Sequence, residues 1–266
     1  APARPAPRSP TEAPGVWAAP GAQARRRVIL MQGCAQPVLR PEINEAAIRL
    51  LNRLGVDVVI AKDDGCCGAL VHHLGQEDHA HALARRMIDA WTVEIEREAV
   101  DAIIVTVSGC GVTIKDYGWM FRHDPAYAQK ARRVAELARD VSEYLAGLDL
   151  SALPRADLGA ARTVAYHAAC SLQHGQKIAD APKALLRSVG FAVKEPAEGH
   201  LCCGSAGVYN ILQPDLAGRL KARKLANIAR TKPDLVAAGN IGCMTQLRDG
   251  LDAPMLHTVE LLDWAT

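Results

Sequence analysis

The sequence predicts an α/β protein of two similar halves, each a small mostly parallel sheet flanked by helices. The first observation is that the eight cysteines fall into two sets with nearly the same spacing. The second is that short apolar, β-rich runs alternate with segments of helical periodicity in both halves. Such alternation implies parallel strands joined by right-handed crossovers. Two similar halves are then expected to pack about a pseudo-twofold axis.

The spacing of the cysteines reveals an internal repeat. The interval from Cys34 to Cys66 is 32 residues, the interval from Cys170 to Cys202 is also 32, and both halves read C, then CCG, then C. We place the boundary between the halves near residues 145–162. This predicts a first cysteine-rich domain over 27–150 and a second over 151–266.

Each half is predicted to run strand, helix, strand, helix, strand. Gly55 and Gly190 close the first helix of each half, and Pro41 and Pro182 lie near the helix starts, where a missing N–H costs nothing. The predicted ranges are 26–34, 41–55, 56–63, 77–99 and 101–110 in the first half, and 162–170, 180–190, 191–197, 214–231 and 234–243 in the second.

Composition narrows the classes of partner. The 31 basic and 29 acidic residues give a net charge of +2, which does not favour nucleic acid or an anionic membrane surface as a partner. The apolar run at 102–107 is far shorter than the roughly 18 residues that a membrane span needs, so a membrane would be reached through a partner. Six prolines among residues 1–20 predict an extended, poorly ordered linker over 1–26.

The predicted topology places the cysteines at a position typical of ligand-binding residues. They all follow the carboxyl ends of predicted strands, the edge of an open α/β sheet where ligands bind. We therefore expect four thiols to converge in each half. The candidate cofactor- and metal-binding residues are Cys34, Cys66, Cys67 and Cys110 in the first half and Cys170, Cys202, Cys203 and Cys243 in the second.

Several chemistries could use four such thiols. Disulfide frameworks belong to small secreted chains, and structural zinc sites usually contain C-x(2–4)-C knuckles, which this sequence lacks. Adjacent cysteines project in different directions and suit separate irons of a cluster, so the spacing favours an iron–sulfur cluster in at least one half. Zinc in one or both halves stays open. A thiol–disulfide reductase is a minor alternative, because C-x-x-C is the usual redox spacing.

Other polar residues have simpler interpretations. His167, His174 and His200 lie near cysteines and could donate hydrogen bonds to a cluster or replace a ligand. Glu143 and Glu260 end the two halves in register and are expected to cap helices, with Ser142 or Thr258 nearby. Surface or partner-facing positions are expected for His72, His73, His79 and His81. Four basic residues near the cysteines could tune the charge of a cluster, although solvent-facing positions are expected for most of them: Lys62, Lys115, Arg223 and Lys224.

The longer motifs resemble a known family. The repeated C…CCG…C pattern is similar to the cysteine-rich CCG domain of heterodisulfide reductase B subunits and lactate-utilisation proteins. The segments "SGCGVTIKDYG", "CSLQHGQK" and "HLCCGSAGVYNILQPDLAGRLKARKLANI" most resemble glycolate oxidase iron–sulfur subunits, from about residue 27 onward.

That resemblance implies a subunit that relays electrons from glycolate, oxidised at flavin-containing partner subunits, toward a quinone or membrane electron acceptor. It implies a cytoplasmic location at the inner face of the membrane, no catalytic residue in this chain, and an N-terminal ferredoxin-like domain preceding the linker. Thr113 and Gln246 replace the final cysteine of heterodisulfide reductase relatives, so a [4Fe–4S] cluster in each loaded half could be cubane or noncubane. A lactate-oxidising complex and a zinc-bound structural subunit remain alternatives.

Overall fold

The structure is a computed structural model that describes residues 9–21, 26–158 and 162–266. The strands are β1 Gly15–Trp17, β2 Arg26–Leu30, β3 Val56–Ile60, β4 Ala102–Val105, β5 Ala138–Asp140, β6 Thr163–His167, β7 Ala192–Lys194, β8 Leu235–Ala238 and β9 Met255–His257. The helices are α1 Gln36–Leu39, α2 Glu42–Arg53, α3 Ala69–His73, α4 Glu77–Arg97, α5 Ser108–Lys115, α6 Tyr117–Met120, α7 Ala128–Leu137, α8 Val141–Leu145, α9 Ala181–Ser188, α10 Tyr209–Leu212, α11 Pro214–Ala229, α12 Ile241–Leu247 and α13 Thr258–Ala265.

Two sheets carry the two halves. The first has the order β1-β3-β2-β4-β5 and the second the order β7-β6-β8-β9. Every pairing is parallel except that of β1, which runs antiparallel along the edge of β3. Without β1 the two orders are equivalent. The predicted fold of two α/β repeats with mostly parallel sheets is therefore confirmed.

The first sheet has a buried core on each face. Along β2, Val28 and Leu30 point into one cluster, whereas Ile29 and Met31 point into the other, as the period of two in a strand requires. The first cluster also contains residues of the second half, including Val164 and Leu262. One continuous core therefore joins the halves.

The halves meet through an exchange of equivalent helices. Helix α2 of the first half packs against α13 at the end of the second, and α9 of the second half packs against α8 at the end of the first. Across the first of these contacts Arg49 and Arg53 both reach Asp263, at 2.6 and 2.8 Å. This reciprocity is the relationship that a pseudo-twofold axis produces.

Several sequence-based details hold. Gly55 and Gly190 follow α2 and α9 with φ of 76° and 101°, the left-handed conformation that ends a helix. Glu143 and Glu260 complete capping boxes. The N-cap residues differ from the expected Ser142 and Thr258. They are Asp140 and His257, because the capping side chain must lie before the first helical residue.

Three local predictions differ from the structure. Each half has a fourth parallel strand, β5 or β9, beyond the three that were expected. Residues within the expected linker form a short 3₁₀ turn at Pro10–Glu12 and the edge strand β1, while 1–8 and 22–25 lie outside the described residues. The predicted third strands are shorter than expected, since α5 and α12 begin at Ser108 and Ile241. No helix of the described ranges is long and apolar enough to cross a membrane.

Candidate metal centres

The fold carries each cysteine set to one sheet edge. In the first half Cys34 follows β2, the Cys66–Cys67 pair follows β3, and Cys110 is the third residue of α5, which follows β4. The carboxyl ends of parallel strands share an edge, so these three loops meet. The second half repeats the arrangement: Cys170 follows β6, Cys202 and Cys203 follow β7, and Cys243 is the third residue of α12.

The thiols of the first set interact in a chain. Cys34 pairs with Cys66, Cys66 with Cys67, and Cys67 with Cys110. Cys67 is buried, Cys66 and Cys110 are half-buried, and Cys34 is exposed. All four members of the predicted first set therefore lie together, with Cys34 at the solvent-facing rim.

The second set has the same connectivity. Cys170 pairs with Cys202, and Cys202 with Cys203. The Sγ atoms of Cys203 and Cys243 are 3.3 Å apart, and both residues are buried. The structure thus brings together all four members of the predicted second set as well.

Proximity perturbs the acidity of these thiols. Hydrogen bonds from Cys34 and Cys67 lower the pKa of Cys66, and those from Cys170 and Cys203 lower the pKa of Cys202. The same hydrogen bonds, together with burial, raise the pKa values of Cys34, Cys170 and Cys203. The pKa of Cys67 is raised first by its hydrogen bond with Cys110 and then by that with Cys66. Only a strongly cationic centre between the sulfurs would allow all four thiols of a set to ionise together.

Backbone N–H groups converge on the sulfurs of each CCG segment. Gly68 N lies 3.4 Å from Cys66 Sγ, Gly204 N lies 3.3 Å from Cys202 Sγ, and Ser205 N lies 3.5 Å from Cys203 Sγ. Such donors stabilise negative charge on thiolates. The turn requires a glycine in both halves.

The glycine requirement is geometric. Gly68 and Gly204 have φ of 84° and 92°, in the left-handed region. A Cβ at Gly68 would lie 2.8 Å from Ala80 O, and one at Gly204 would lie 2.5 Å from Ala217 O. Helices α4 and α11, the second helix after each CCG segment, therefore pack directly on the turn.

One histidine joins the second set. The nearest ligand atoms of His167, Cys203 and Cys243 all lie within 4.8 Å of one another, and His167 is buried. Together with Cys203, His167 lowers the pKa of Cys243 to about 5. His174 and His200 are exposed, and His174 Nε2 lies 3.3 Å from His200 O.

The remaining histidines follow the expectation in part. His73 and His79 are exposed, whereas His72 and His81 are half-buried. The ring of His81 lies 5.2 Å from that of Phe121, measured between centroids.

Two buried side chains near the cysteines were missed or misassigned. Lys224 was expected to face solvent, but it is 1% exposed and its Nζ donates to Glu198 O at 2.9 Å. The amphipathic pattern of α11 could not reveal this, because lysine counts as a solvent-facing residue in such patterns. Tyr117 lies within the segment "SGCGVTIKDYG" but was not predicted as a site residue; it is fully buried and its hydroxyl donates to Cys67 O at 2.8 Å.

Two of the other basic residues near the sites form ion pairs. Lys115 Nζ lies 2.6 Å from Glu143, and Arg223 pairs with Glu198. Lys62 and Arg223 are exposed and Lys115 is half-buried. Lys224 is therefore the buried cation among these four residues.

Comparisons with known proteins show the same division of the chain into two repeats. A family model described as a cysteine-rich domain, CCG, matches residues 28–115 and 164–248. The chain is 41% identical to the glycolate oxidase iron–sulfur subunit of Escherichia coli over 92% of this chain and 60% of that protein. It is 31% identical to the probable glycolate oxidase iron–sulfur subunit of Bacillus subtilis over 86% of this chain and 50% of that protein.

A third relative is matched over nearly its whole length, unlike the two glycolate oxidase relatives. Lactate utilization protein A of Bacillus licheniformis is 25% identical over 89% of this chain and 99% of that protein. The chain thus spans between half and about 60% of the two glycolate oxidase relatives, but nearly all of this one. Because the family model covers both cysteine sets and most of each half, the chain belongs to the CCG cysteine-rich domain family and carries two copies of that domain.

Proposed function

We propose that the chain is an iron–sulfur electron-transfer subunit of a flavin-dependent complex that oxidises glycolate. The observation that carries the proposal is that the four cysteine thiols of each half interact pairwise in one connected series, in a protein 41% identical to a glycolate oxidase iron–sulfur subunit. Thiolates are the usual ligands of iron–sulfur clusters. We propose that both sets bind such clusters.

The cysteines of each half fit the ligand chemistry of an iron–sulfur cluster. The ligands would be Cys34, Cys66, Cys67 and Cys110 in the first half and Cys170, Cys202, Cys203 and Cys243 in the second. A bound cluster supplies reversible one-electron transfer. The chain itself contributes thiolates, N–H donors at Gly68 and Gly204, and partly buried sites in which charges interact more strongly than in water.

Substrate chemistry is assigned to other subunits. We propose that flavin-containing partners oxidise glycolate and that the electrons pass through this chain toward quinone. The exposed position of Cys34 supports exchange of electrons at the surface, because tunnelling to a partner requires a short path.

A lactate-oxidising complex is the second candidate function. It is favoured by one observation: the chain is 25% identical to lactate utilization protein A of Bacillus licheniformis over 89% of its residues. The higher identity to the glycolate oxidase relatives favours glycolate. A zinc-bound structural subunit is a third candidate, supported by the His167, Cys203 and Cys243 group, since zinc accepts mixed nitrogen and sulfur ligands.

The test is the iron, sulfide and zinc content of protein purified without oxygen, with EPR spectra before and after dithionite. Roughly four irons and four sulfides per half, with a redox-active signal, are expected. Cys66→Ser and Cys202→Ser should each remove the iron of one half. Stoichiometric zinc without a signal would replace the proposal with the structural one.

A separate experiment tests whether glycolate or lactate is the electron donor. The loaded chain is mixed with its flavin-containing partner subunits, and glycolate or lactate is added under anaerobic conditions. Bleaching of the cluster absorbance by glycolate but not by lactate is expected. The reverse would assign the chain to the lactate-oxidising class.

A further inference from the structure

The two halves differ in the residues that surround their cysteines. Cys34 and Cys170 are 136 positions apart, as are Cys66 and Cys202, so the counterpart of His167 is Met31. Gly68 packs on Ala80 and Gly204 packs on Ala217. These paired contacts align α4 with α11 and make Met87 the counterpart of Lys224.

His167 is buried beside two ligands of the second set. Among the described residues neither ring nitrogen makes a hydrogen bond of normal geometry, although the side chain is 2% exposed and the ring lies against Cys243. A buried imidazole without such a bond carries a desolvation cost that an N–H bond to sulfur, or ligation of a metal, would remove. Met31 is equally buried but has no N–H to donate.

Lys224 places an ammonium group beside the same set. Its Nζ donates to Glu198 O at 2.9 Å and lies 3.5 Å from Gly199 O, in the loop that leads into Cys202. The Glu198 carboxylate is engaged by Arg223 and Asn227.

The counterpart of Lys224 is uncharged. Met87 is fully buried, and its sulfur accepts a hydrogen bond from Gly65 N at 3.1 Å. The second half thus has a buried ammonium where the first has a thioether.

No buried cation near the first cysteine set, among the described residues, takes the place of the Lys224 ammonium. Asp64 lies two residues before Cys66 and accepts a hydrogen bond from Trp91 Nε1 at 3.2 Å, so the buried acid-base group there is a carboxyl. The charge of His79 acts on Cys66, but His79 is exposed, so solvent screens that interaction. His200, the counterpart of Asp64, is exposed as well. Buried positive charge therefore lies beside the second set.

Positive charge and N–H donors favour the reduced form of a cluster, because reduction adds one negative charge, and burial strengthens the interaction. Resting on the proposed function, we propose that His167 and Lys224 make the centre of the second half the more readily reduced of the two. The centre held by Cys170, Cys202, Cys203 and Cys243 therefore has a higher midpoint potential than the centre held by Cys34, Cys66, Cys67 and Cys110.

The test is an anaerobic redox titration of the full chain, followed by EPR. The signal lost in Cys202→Ser is assigned to the second half and the signal lost in Cys66→Ser to the first. We expect the second-half signal to appear at the higher potential. Lys224→Met and His167→Met, which introduce the first-half residues, should each lower that midpoint and leave the first-half midpoint in place.

Lys221→Met is the matched control, since Lys221 is half-buried on the same helix three residues earlier. It should shift neither midpoint. Equal midpoints, a reversed order, a centre in one half only, or shifts in Lys224→Met no larger than in Lys221→Met would overturn the inference. If a variant loses its cluster, the order of the wild-type midpoints decides. Absence of iron from both halves would instead overturn the proposed function.

Discussion

The hydroxyl oxygens of Ser108 and Ser171 lie 2.8 Å apart and join the two halves between their cysteine sets. Ser108 is two residues before Cys110, and Ser171 directly follows Cys170. Asn240, three residues before Cys243, donates from Nδ2 to Ser108 Oγ at 3.0 Å. A polar contact thus ties the two candidate centres together.

Asn240→Ala is expected to destabilise the chain by about 1–2 kcal/mol. The Asn240 side chain also caps α12 by accepting from Gly242 N at 2.8 Å, so the variant loses a cap and an inter-half bond. The measurement is urea unfolding in a fixed metal state. Asn210→Ala, which removes one side-chain bond to Gln246, is the control and should cost less than about 0.5 kcal/mol. Equal losses in the two variants would contradict the bridging role.

The cysteine spacing could predict the grouping of the thiols, because parallel strands deliver their carboxyl ends to one edge. Gly55 and Gly190 could be recognised as helix ends because a left-handed residue there is a local requirement. Strand β1 could not be predicted, since its three residues are held by pairing with β3, a contact set by tertiary structure. Burial of Lys224 likewise depends on carbonyl groups of a distant loop.

Gly204→Ala is expected to destabilise the chain by at least about 2 kcal/mol and to lower metal occupancy of the second half. The new Cβ would meet Ala217 O, and the backbone would stay in the left-handed region. Gly218→Ala is the control on the neighbouring helix, because its site is exposed and open. That change should stabilise by about 0.5–1 kcal/mol. Thermal melts and iron content measure both effects, and a neutral Gly204→Ala would refute the packing argument.

Asp263→Ala is expected to weaken the packing of α2 on α13 by about 1 kcal/mol. The carboxylate is 11% exposed and pairs with two arginines, Arg49 and Arg53. Asp249→Ala, in which an exposed carboxylate loses only its neighbour Arg248, should be neutral. Urea unfolding at low and at molar salt distinguishes the cases, because screening should shrink the Asp263 effect. A salt-independent difference would mean that packing, and not charge, causes the loss.

His257 predicts a pH dependence of stability. Burial lowers its pKa to about 4, and the charge of Arg40 adds to the effect. Its Nε2 lies 2.9 Å from Thr106 O across the halves, and Nδ1 accepts from Val259 N. The folded pKa is below the unfolded value of about 6.5, so the stabilisation is complete above pH 6.5 and is lost as the pH falls toward 4.

His257→Asn removes this titration but keeps a side chain that can cap α13. The wild type should lose about 2–3 kcal/mol more than the variant between pH 7 and pH 4, because its unfolded form takes up a proton that the folded form excludes. Every other group, including Glu260 of the same capping box, titrates in both proteins and cancels in the difference. Urea unfolding at half-unit pH steps gives that difference directly. A gap between the two proteins that stays constant with pH would show that the folded chain does not hold the imidazole neutral.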